Sequence, residues 1–136
     1  MAAEITILEK VARSAFSASL RSDGIVHFMM EEIDDYSLDI VKDQNELLQK
    51  LGGGKKMPVM VSFKSFNTPN DESMKYSVTE EGTRYTKANA IVVESLALRI
   101  GANFYLNFFR PKVTTRVFNS EKDAVKWLSK FVVYSS

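Results

Sequence analysis

The stretch that decides the fold begins with Lys87-Ala-Asn-Ala-Ile-Val-Val-Glu-Ser95 and continues with an apolar segment from Leu96 to Arg110. It ends with Pro111-Lys-Val-Thr-Thr-Arg-Val-Phe118 and a segment over 119–131. This pattern predicts a strand, a helix, a second strand and a terminal helix with almost no spacer. Strands and helices that alternate at this spacing indicate βαβ units, because a parallel neighbour is reached only by a crossover.

Upstream, two segments of alternating hydrophobicity flank Ser22-Asp23-Gly24. Gly24 can supply the positive φ that a tight hairpin turn requires. The strand after this turn is apolar at both alternate sets of positions, so we expect cover on both of its faces. Residues 1–11 fit either an edge strand or a loose arm.

Two helices and one strand are predicted between the hairpin and the fold-deciding stretch. Helical spacing over Leu38 to Leu51 ends at Gly52-Gly53-Gly54, as expected of a glycine stop. A compact apolar run from Met57 to Phe63 has the length of a strand. Thr68 as N-cap and Pro69 as the first helical residue predict a helix that runs to about Glu81.

The sequence therefore predicts a single α/β domain over residues 1–136, with its core at about 12–131. An N-terminal β-hairpin enters a mixed sheet. The elements that follow, in the order β-α-β-α-β-α, complete this sheet through three right-handed crossovers. Four helices are expected in total.

Composition excludes several classes of protein. The chain of 136 residues has no cysteine, so disulfides and thiolate metal sites are excluded. Its 18 Lys and Arg nearly balance its 17 Asp and Glu, which gives no electrostatic reason to expect nucleic-acid binding. No apolar run approaches the roughly 20 residues of a membrane span, so we expect a cytoplasmic protein without stable membrane insertion.

No motif specifies a reaction. Gly52-Gly-Gly-Lys-Lys56 suggests a phosphate loop, but a helix is predicted before it and a strand after it, the reverse of the order that such a loop needs. His27 is the sole histidine, and its place in a predicted hairpin strand favours a packed or rim position over a catalytic role. The adjacent acidic pairs do not converge on a helix or a strand. We therefore expect no enzyme activity, no cofactor and no metal site.

The predicted helix over 96–109 is apolar around nearly its whole circumference, whereas a surface helix keeps a polar side. Three interpretations remain: deep burial, a surface for a protein partner or a second copy, and a groove for an apolar ligand or a membrane. The candidate interaction surface consists of Leu98, Phe104, Tyr105, Phe108 and Phe109.

A second candidate is a regulatory edge formed by Ser65, Thr68 and Ser73, between a strand and the following helix. A phosphate on Thr68 would lie at a helix N-terminus, where free amides and the helix dipole favour it. The alternative is that Thr68 only caps the helix.

Several stretches carry a family resemblance: Pro58-Val-Met-Val-Ser-Phe63, Glu81-Gly-Thr-Arg-Tyr-Thr-Lys-Ala-Asn-Ala-Ile-Val-Val-Glu-Ser95, Asn103-Phe104, Arg110-Pro111, and Thr115-Arg-Val-Phe-Asn-Ser-Glu-Lys-Asp-Ala-Val-Lys-Trp-Leu128. They resemble an uncharacterised group of small bacterial STAS-like proteins, related in fold to the anti-sigma-factor antagonists and the sulfate-transporter regulatory domain. The resemblance covers about residues 12–131. It implies a STAS-like fold and a domain that binds a partner protein without catalysis.

In the anti-sigma-factor antagonists, a Ser or Thr at the start of the helix after a central strand is phosphorylated. The resemblance places this position between Ser65 and Ser73, although Lys64-Ser-Phe-Asn-Thr68 stands where the usual Asp-Ser/Thr-Ser/Thr-Gly signature would be. The fold also resembles the CRAL-TRIO lipid-binding domains. The leading hypothesis is thus a noncatalytic regulatory module that binds a protein partner or forms a homodimer. The alternative is a carrier of a lipid or other apolar small molecule.

Overall fold

One mixed sheet of six strands organises the protein. The computed structural model describes residues 4–65, 69–109 and 111–132, without the side chains of 108 and 109. The strands are β1 (Ile7–Ala12), β2 (Phe16–Arg21), β3 (Val26–Met30), β4 (Met57–Phe63), β5 (Thr86–Val92) and β6 (Thr115–Phe118). They follow one another in chain order across the sheet. The β1–β2 and β2–β3 pairs are antiparallel, and the three later pairs are parallel.

Helices cover both faces of the sheet. The described helices are α1 (Leu38–Leu51), α2 (Asp71–Ser77), α3 (Glu80–Thr83), α4 (Leu96–Phe109) and α5 (Glu121–Leu128), the last followed by a 3-10 turn, Ser129–Phe131. Side chains of α1 and α4 pack on the face that carries Phe28 and Ile91, which we call the α1 face. The α5 helix packs on the opposite face, the α5 face, against Met60 and Ala90.

The topology confirms the expected α/β fold. A β-hairpin leads into a run of parallel strands, and each parallel connection contains helix. The turn contains Gly24 at a φ of +85°, and the α1 helix is followed by Gly53 and Gly54 at positive φ. Residues 7–12 form an edge strand, which decides between the two interpretations of the N-terminal segment.

The predicted helix from Thr68 to Glu81 is wrong in its bounds. The α2 helix begins at Asp71 with Asn70 as its cap, whose side chain accepts a hydrogen bond from the Ser73 amide. Pro69 instead forms a bridge with Tyr36, which holds it in extended backbone. Thr79 then caps a separate helix, α3, by accepting from the Gly82 amide at 3.0 Å. Two short helices thus replace one, which gives five α-helices among the described residues. Thr68, the predicted cap, lies outside the described residues.

Candidate functional site

The α4 helix has two apolar faces: one packs on the sheet, and the other carries side chains that are largely exposed. Leu98, Ala102 and Leu106 lie against Ile91 and Val93 of the α1 face. On the outer side, Leu96 is 64%, Ile100 63% and Phe104 71% exposed. Residues four apart lie on the same side of a helix, so these three side chains form one continuous row. We call this row the α4 stripe.

The residues beside the α4 stripe are mostly small, and few of them are charged. Ala97 and Gly101 are exposed next to the stripe, and a Cβ placed on Gly101 would meet nothing within 4 Å. Arg99 is the one charged residue in the 96–109 segment, and it is half-buried. Small residues allow a second helix to approach closely, and a neutral surface does not require a charged partner.

The described residues of the predicted interaction surface do not all lie on the same side of α4. Phe104 lies on the outer side, whereas Leu98 packs inward and Tyr105 contributes to the wall of a cavity. The side chains of Phe108 and Phe109 are not among those that the structure describes. The predicted set lacked Leu96 and Ile100, although the spacing of four from Leu96 to Ile100 and from Ile100 to Phe104 is the signal that identifies them.

A cavity lies between the α1 face of the sheet and the helices α1, α2 and α4. Its volume is about 220 Å³, larger than the roughly 150 Å³ in which an engineered apolar cavity binds benzene. None of the described residues that line it is charged. The apolar part of the wall includes Phe28, Leu48, Val61, Met74, Ile91 and Leu106.

Most polar side chains of the cavity wall bond to the protein itself. The Tyr36 hydroxyl donates to Gln44 Oε1 at 2.6 Å, and Gln44 Nε2 donates to Met30 Sδ at 3.1 Å. Burial raises the pKa of Tyr36 well above its ordinary value, so its hydroxyl keeps the proton that it donates. Thr115 Oγ1 donates to the Val113 carbonyl at 2.8 Å.

Asn89 is different. It lies on β5 and contributes to the cavity wall, and its side-chain oxygen is buried without a hydrogen-bond partner among the described residues. The sequence did not indicate Asn89 as a site residue, because Asn89 stands within an apolar strand. A buried carbonyl oxygen without a donor is uncommon in native proteins.

A second polar cluster lies on the α5 face, where His27 of β3 meets Ser62 of β4 and Glu121 of α5. His27 Nε2 is 2.8 Å from Ser62 Oγ and 3.7 Å from Glu121 Oε2, and Ser62 Oγ donates to the same carboxylate oxygen at 3.0 Å. Since Ser62 donates to Glu121, it accepts from the Nε2 proton of His27. In a catalytic triad the carboxylate binds the other imidazole nitrogen and the histidine accepts from serine. The cluster is therefore not arranged to activate Ser62.

Burial is the main cause that lowers the pKa of His27 below its ordinary value of 6.5, while Glu121 opposes the shift. The imidazole is thus neutral at neutral pH. The sequence predicted a packed or rim position for His27, and the structure shows it buried. Its contacts with Ser62 and Glu121 were not predicted, because they depend on the pairing of β3 with β4 and on where α5 crosses the sheet.

The proposed regulatory edge is only partly described. Ser65 Oγ donates to Glu32 Oε1 at 3.3 Å. Ser73 is fully buried and donates to the Tyr36 carbonyl at 3.0 Å. Thr68 lies outside the described residues, so the structure shows two of the three side chains, and each of these bonds to a different partner.

Two general features bear on ligands and membranes. In the described ranges, His, Asp and Glu side chains nowhere gather in a group of three that could hold a metal ion. Within the same ranges, no helix combines the length and the apolarity needed to cross a bilayer.

Comparison with known proteins defines the family and supports the fold. The model of a family described as Domain of unknown function (DUF7793) matches residues 18–132. A similar solved structure is an uncharacterised protein of the DUF3478 family from Shewanella loihica PV-4, which has a SpoIIAA-like fold. The two chains are 14% identical, the match covers 94% of this chain and 98% of that one, and the TM-score is 0.52. The expected STAS-like fold is thus confirmed. No curated protein matches this chain.

Proposed function

We propose that this chain, which belongs to the DUF7793 family, is a noncatalytic regulatory module that binds protein through the α4 stripe, and that its partner there is a second copy of itself. The observation that carries the proposal is the stripe: three large apolar side chains, each more than 60% exposed, on a helix whose opposite side is already packed. Contiguous apolar surface of this kind marks an interaction site.

The geometry of the stripe favours a second copy over an unrelated partner. Leu96 and Phe104 stand four positions before and four positions after Ile100. If two α4 helices cross antiparallel about a two-fold axis at Ile100, Leu96 of each copy faces Phe104 of the other. Such a self-complementary patch is what an isologous dimer requires. Arg99 is the one charged residue of the 96–109 segment in each copy and is half-buried, so little charge repulsion opposes the contact between the copies.

The expected loss from breaking this contact is large. A phenylalanine ring buries about 150–250 Å² at roughly 25 cal/mol per Å², so covering the exposed part of Phe104 contributes about 3 kcal/mol. In a symmetric dimer this contribution counts twice, because each copy covers one Phe104 ring of the other. A glutamate in its place would also carry an uncompensated charge into the contact. Phe104→Glu should therefore weaken the dimer by more than about a hundredfold.

Sedimentation velocity from 1 to 200 μM tests this proposal. The wild type should form a dimer within this range, and Phe104→Glu should sediment as a folded monomer. Leu8→Glu is the matched control, because Leu8 is 63% exposed but lies on the edge strand β1. A wild-type monomer at every concentration, or loss of the dimer in Leu8→Glu rather than in Phe104→Glu, contradicts the proposal. Binding of the wild type to lipid vesicles in place of dimer formation would do the same.

The noncatalytic part of the proposal is supported by the His27 cluster. Its histidine donates to Ser62, and its carboxylate approaches the same imidazole nitrogen, so no nucleophile is activated there. A positioned general base next to a nucleophile is the first requirement of acyl-transfer chemistry.

Regulation at the edge formed by Ser65, Thr68 and Ser73 is proposed from the sequence resemblance. The test compares Thr68→Asp with Thr68→Ala in sedimentation and in thermal stability. Aspartate adds a negative charge at this position, whereas alanine removes the hydroxyl without adding charge. If Thr68→Asp leaves both the dimer and the stability unchanged, no phosphate switch operates at Thr68.

A second candidate function is a carrier of an apolar small molecule. The observation that favours it is the uncharged cavity beneath α4, whose volume of about 220 Å³ exceeds that of ordinary packing defects. The α4 helix contributes Tyr105 and Leu106 to this cavity and the stripe to the outer surface, so one helix serves both candidate functions.

A further inference from the structure

We infer that the cavity binds a neutral, largely apolar molecule with one hydrogen-bond donor, and that Asn89 Oδ1 accepts from that donor. The inference rests on the second candidate function, the carrier, and specifies its ligand class. It does not depend on association through the α4 stripe.

The sheet register places Asn89 in the interior of the apolar face. Asn89 pairs with Val59 of β4 on one side and with Thr115 of β6 on the other. All three residues contribute to the cavity wall. A valine would suit this position in a central strand better than an asparagine, because asparagine is depleted in strands and must find partners for its amide group.

An unpaired acceptor at this position calls for a partner. Leaving a buried carbonyl oxygen without a donor costs free energy, so such groups are rare unless they serve a function or bind a molecule. The cavity is next to Asn89 and large enough to hold an organic molecule. A ligand N–H or O–H in the cavity would supply the missing hydrogen bond.

The remaining wall limits what the ligand can be. Gln44 and Thr115 already make hydrogen bonds within the protein, whereas the buried Asn89 oxygen has none among the described residues, so a ligand donor gains most at Asn89. None of the described lining residues carries a charge that could pair with a charged ligand. An ionised molecule would lose its hydration without compensation, which favours a neutral one.

Indole and indene form a suitable pair of probes. Both are flat, neutral bicycles of nearly the same shape, and both are larger than benzene. Indole has one N–H donor, whereas indene has none. A difference in affinity between them therefore reports on a hydrogen bond rather than on apolar burial.

The test is titration of each probe into the full chain, followed by nuclear magnetic resonance or calorimetry. Wild type should bind indole about tenfold more tightly than indene, the ratio that one net hydrogen bond gives. Asn89→Leu removes the acceptor, so it should bind the two probes with equal affinity. Val61→Phe fills the cavity with a bulkier side chain and should bind neither probe. Leu8→Glu should retain the preference, because Leu8 is exposed on the edge strand β1 and does not line the cavity.

Two outcomes overturn the inference and are distinguishable. Equal affinity of the wild type for both probes would show that Asn89 does not select a donor, while the carrier function would survive. Failure of the wild type to bind either probe at millimolar concentration would reject both the inference and the carrier function. The wild-type comparison needs no variant, so a misfolded substitution cannot obscure the result.

Discussion

Removal of the Tyr36 hydroxyl should show how much the hydrogen bond between Tyr36 and Gln44 in the cavity wall contributes to the stability of the protein. Tyr36 and Gln44 are 8% and 9% exposed, and the bond between them is 2.6 Å long. Tyr36→Phe leaves Gln44 Oε1 buried without its donor, which costs about 1–3 kcal/mol. For a chain of this size the melting temperature should fall by roughly 4 °C for each kcal/mol. Urea denaturation followed by far-ultraviolet circular dichroism measures the loss.

A double-mutant cycle separates this bond from other effects of the substitution. Gln44→Leu removes the acceptor, so the double variant carries no unpaired oxygen and should be more stable than the two single losses predict, by about 1 kcal/mol or more. Ser22→Ala serves as the control. It removes an exposed bond from the Thr6 amide at the hairpin, and its loss should add to that of Tyr36→Phe. Additive losses for Tyr36→Phe and Gln44→Leu, within about 0.5 kcal/mol, would refute the description of the network.

Three further predictions concern single side chains. Because the pKa of His27 is lowered in the folded state, the unfolded chain binds the proton first as pH falls. As pH falls from about 7, the free energy of unfolding should therefore decrease through the unfolded pKa of 6.5 and level off below the folded pKa. His27→Gln should make the free energy of unfolding less dependent on pH in this range. An unchanged pH dependence in His27→Gln would contradict the lowered pKa of His27. Trp127 packs against Phe118 and Phe131 with ring centroids 5.6 and 4.9 Å away, so its emission should be blue-shifted until global unfolding. Strong acrylamide quenching in the folded protein would contradict this packing. Ser73→Asp buries a carboxylate against the Tyr36 carbonyl and should destabilise the fold by more than about 2 kcal/mol, whereas near-wild-type stability in thermal melts would show that the site opens easily.

The fold was predictable because its determinants are local. Gly24 at positive φ, the glycines after α1 and the apolar strand that leads to α4 each act within a few residues, and each indicates the same topology. The division of the predicted second helix was not predictable from capping preferences alone. Asn70 and Thr79 are both competent caps, and the bridge between Tyr36 and Pro69 decides where α2 begins.

The candidate sites were predictable only where helical spacing defines them. Apolar residues all around α4 indicated that one side would need cover, but the packing of Ala102 against β5 decides which side faces outward. Asn89 and the His27 cluster depend on strand register. His27 and Ser62 come together only because β3 pairs with β4. No local sequence pattern indicates a contact between residues so far apart in the chain.

The most direct test of the central claim, self-association through the α4 stripe, is oxidative cross-linking of Ile100→Cys. The chain has no cysteine, so the introduced thiol is unique. A two-fold axis at Ile100 brings the two introduced cysteines together, and Gly101 beside them allows the helices to approach. Under mild oxidation at micromolar concentration, Ile100→Cys should form a disulfide-linked dimer, and Leu8→Cys, equally exposed on β1, should remain a monomer. A cross-linked Leu8→Cys dimer together with monomeric Ile100→Cys would contradict the claim.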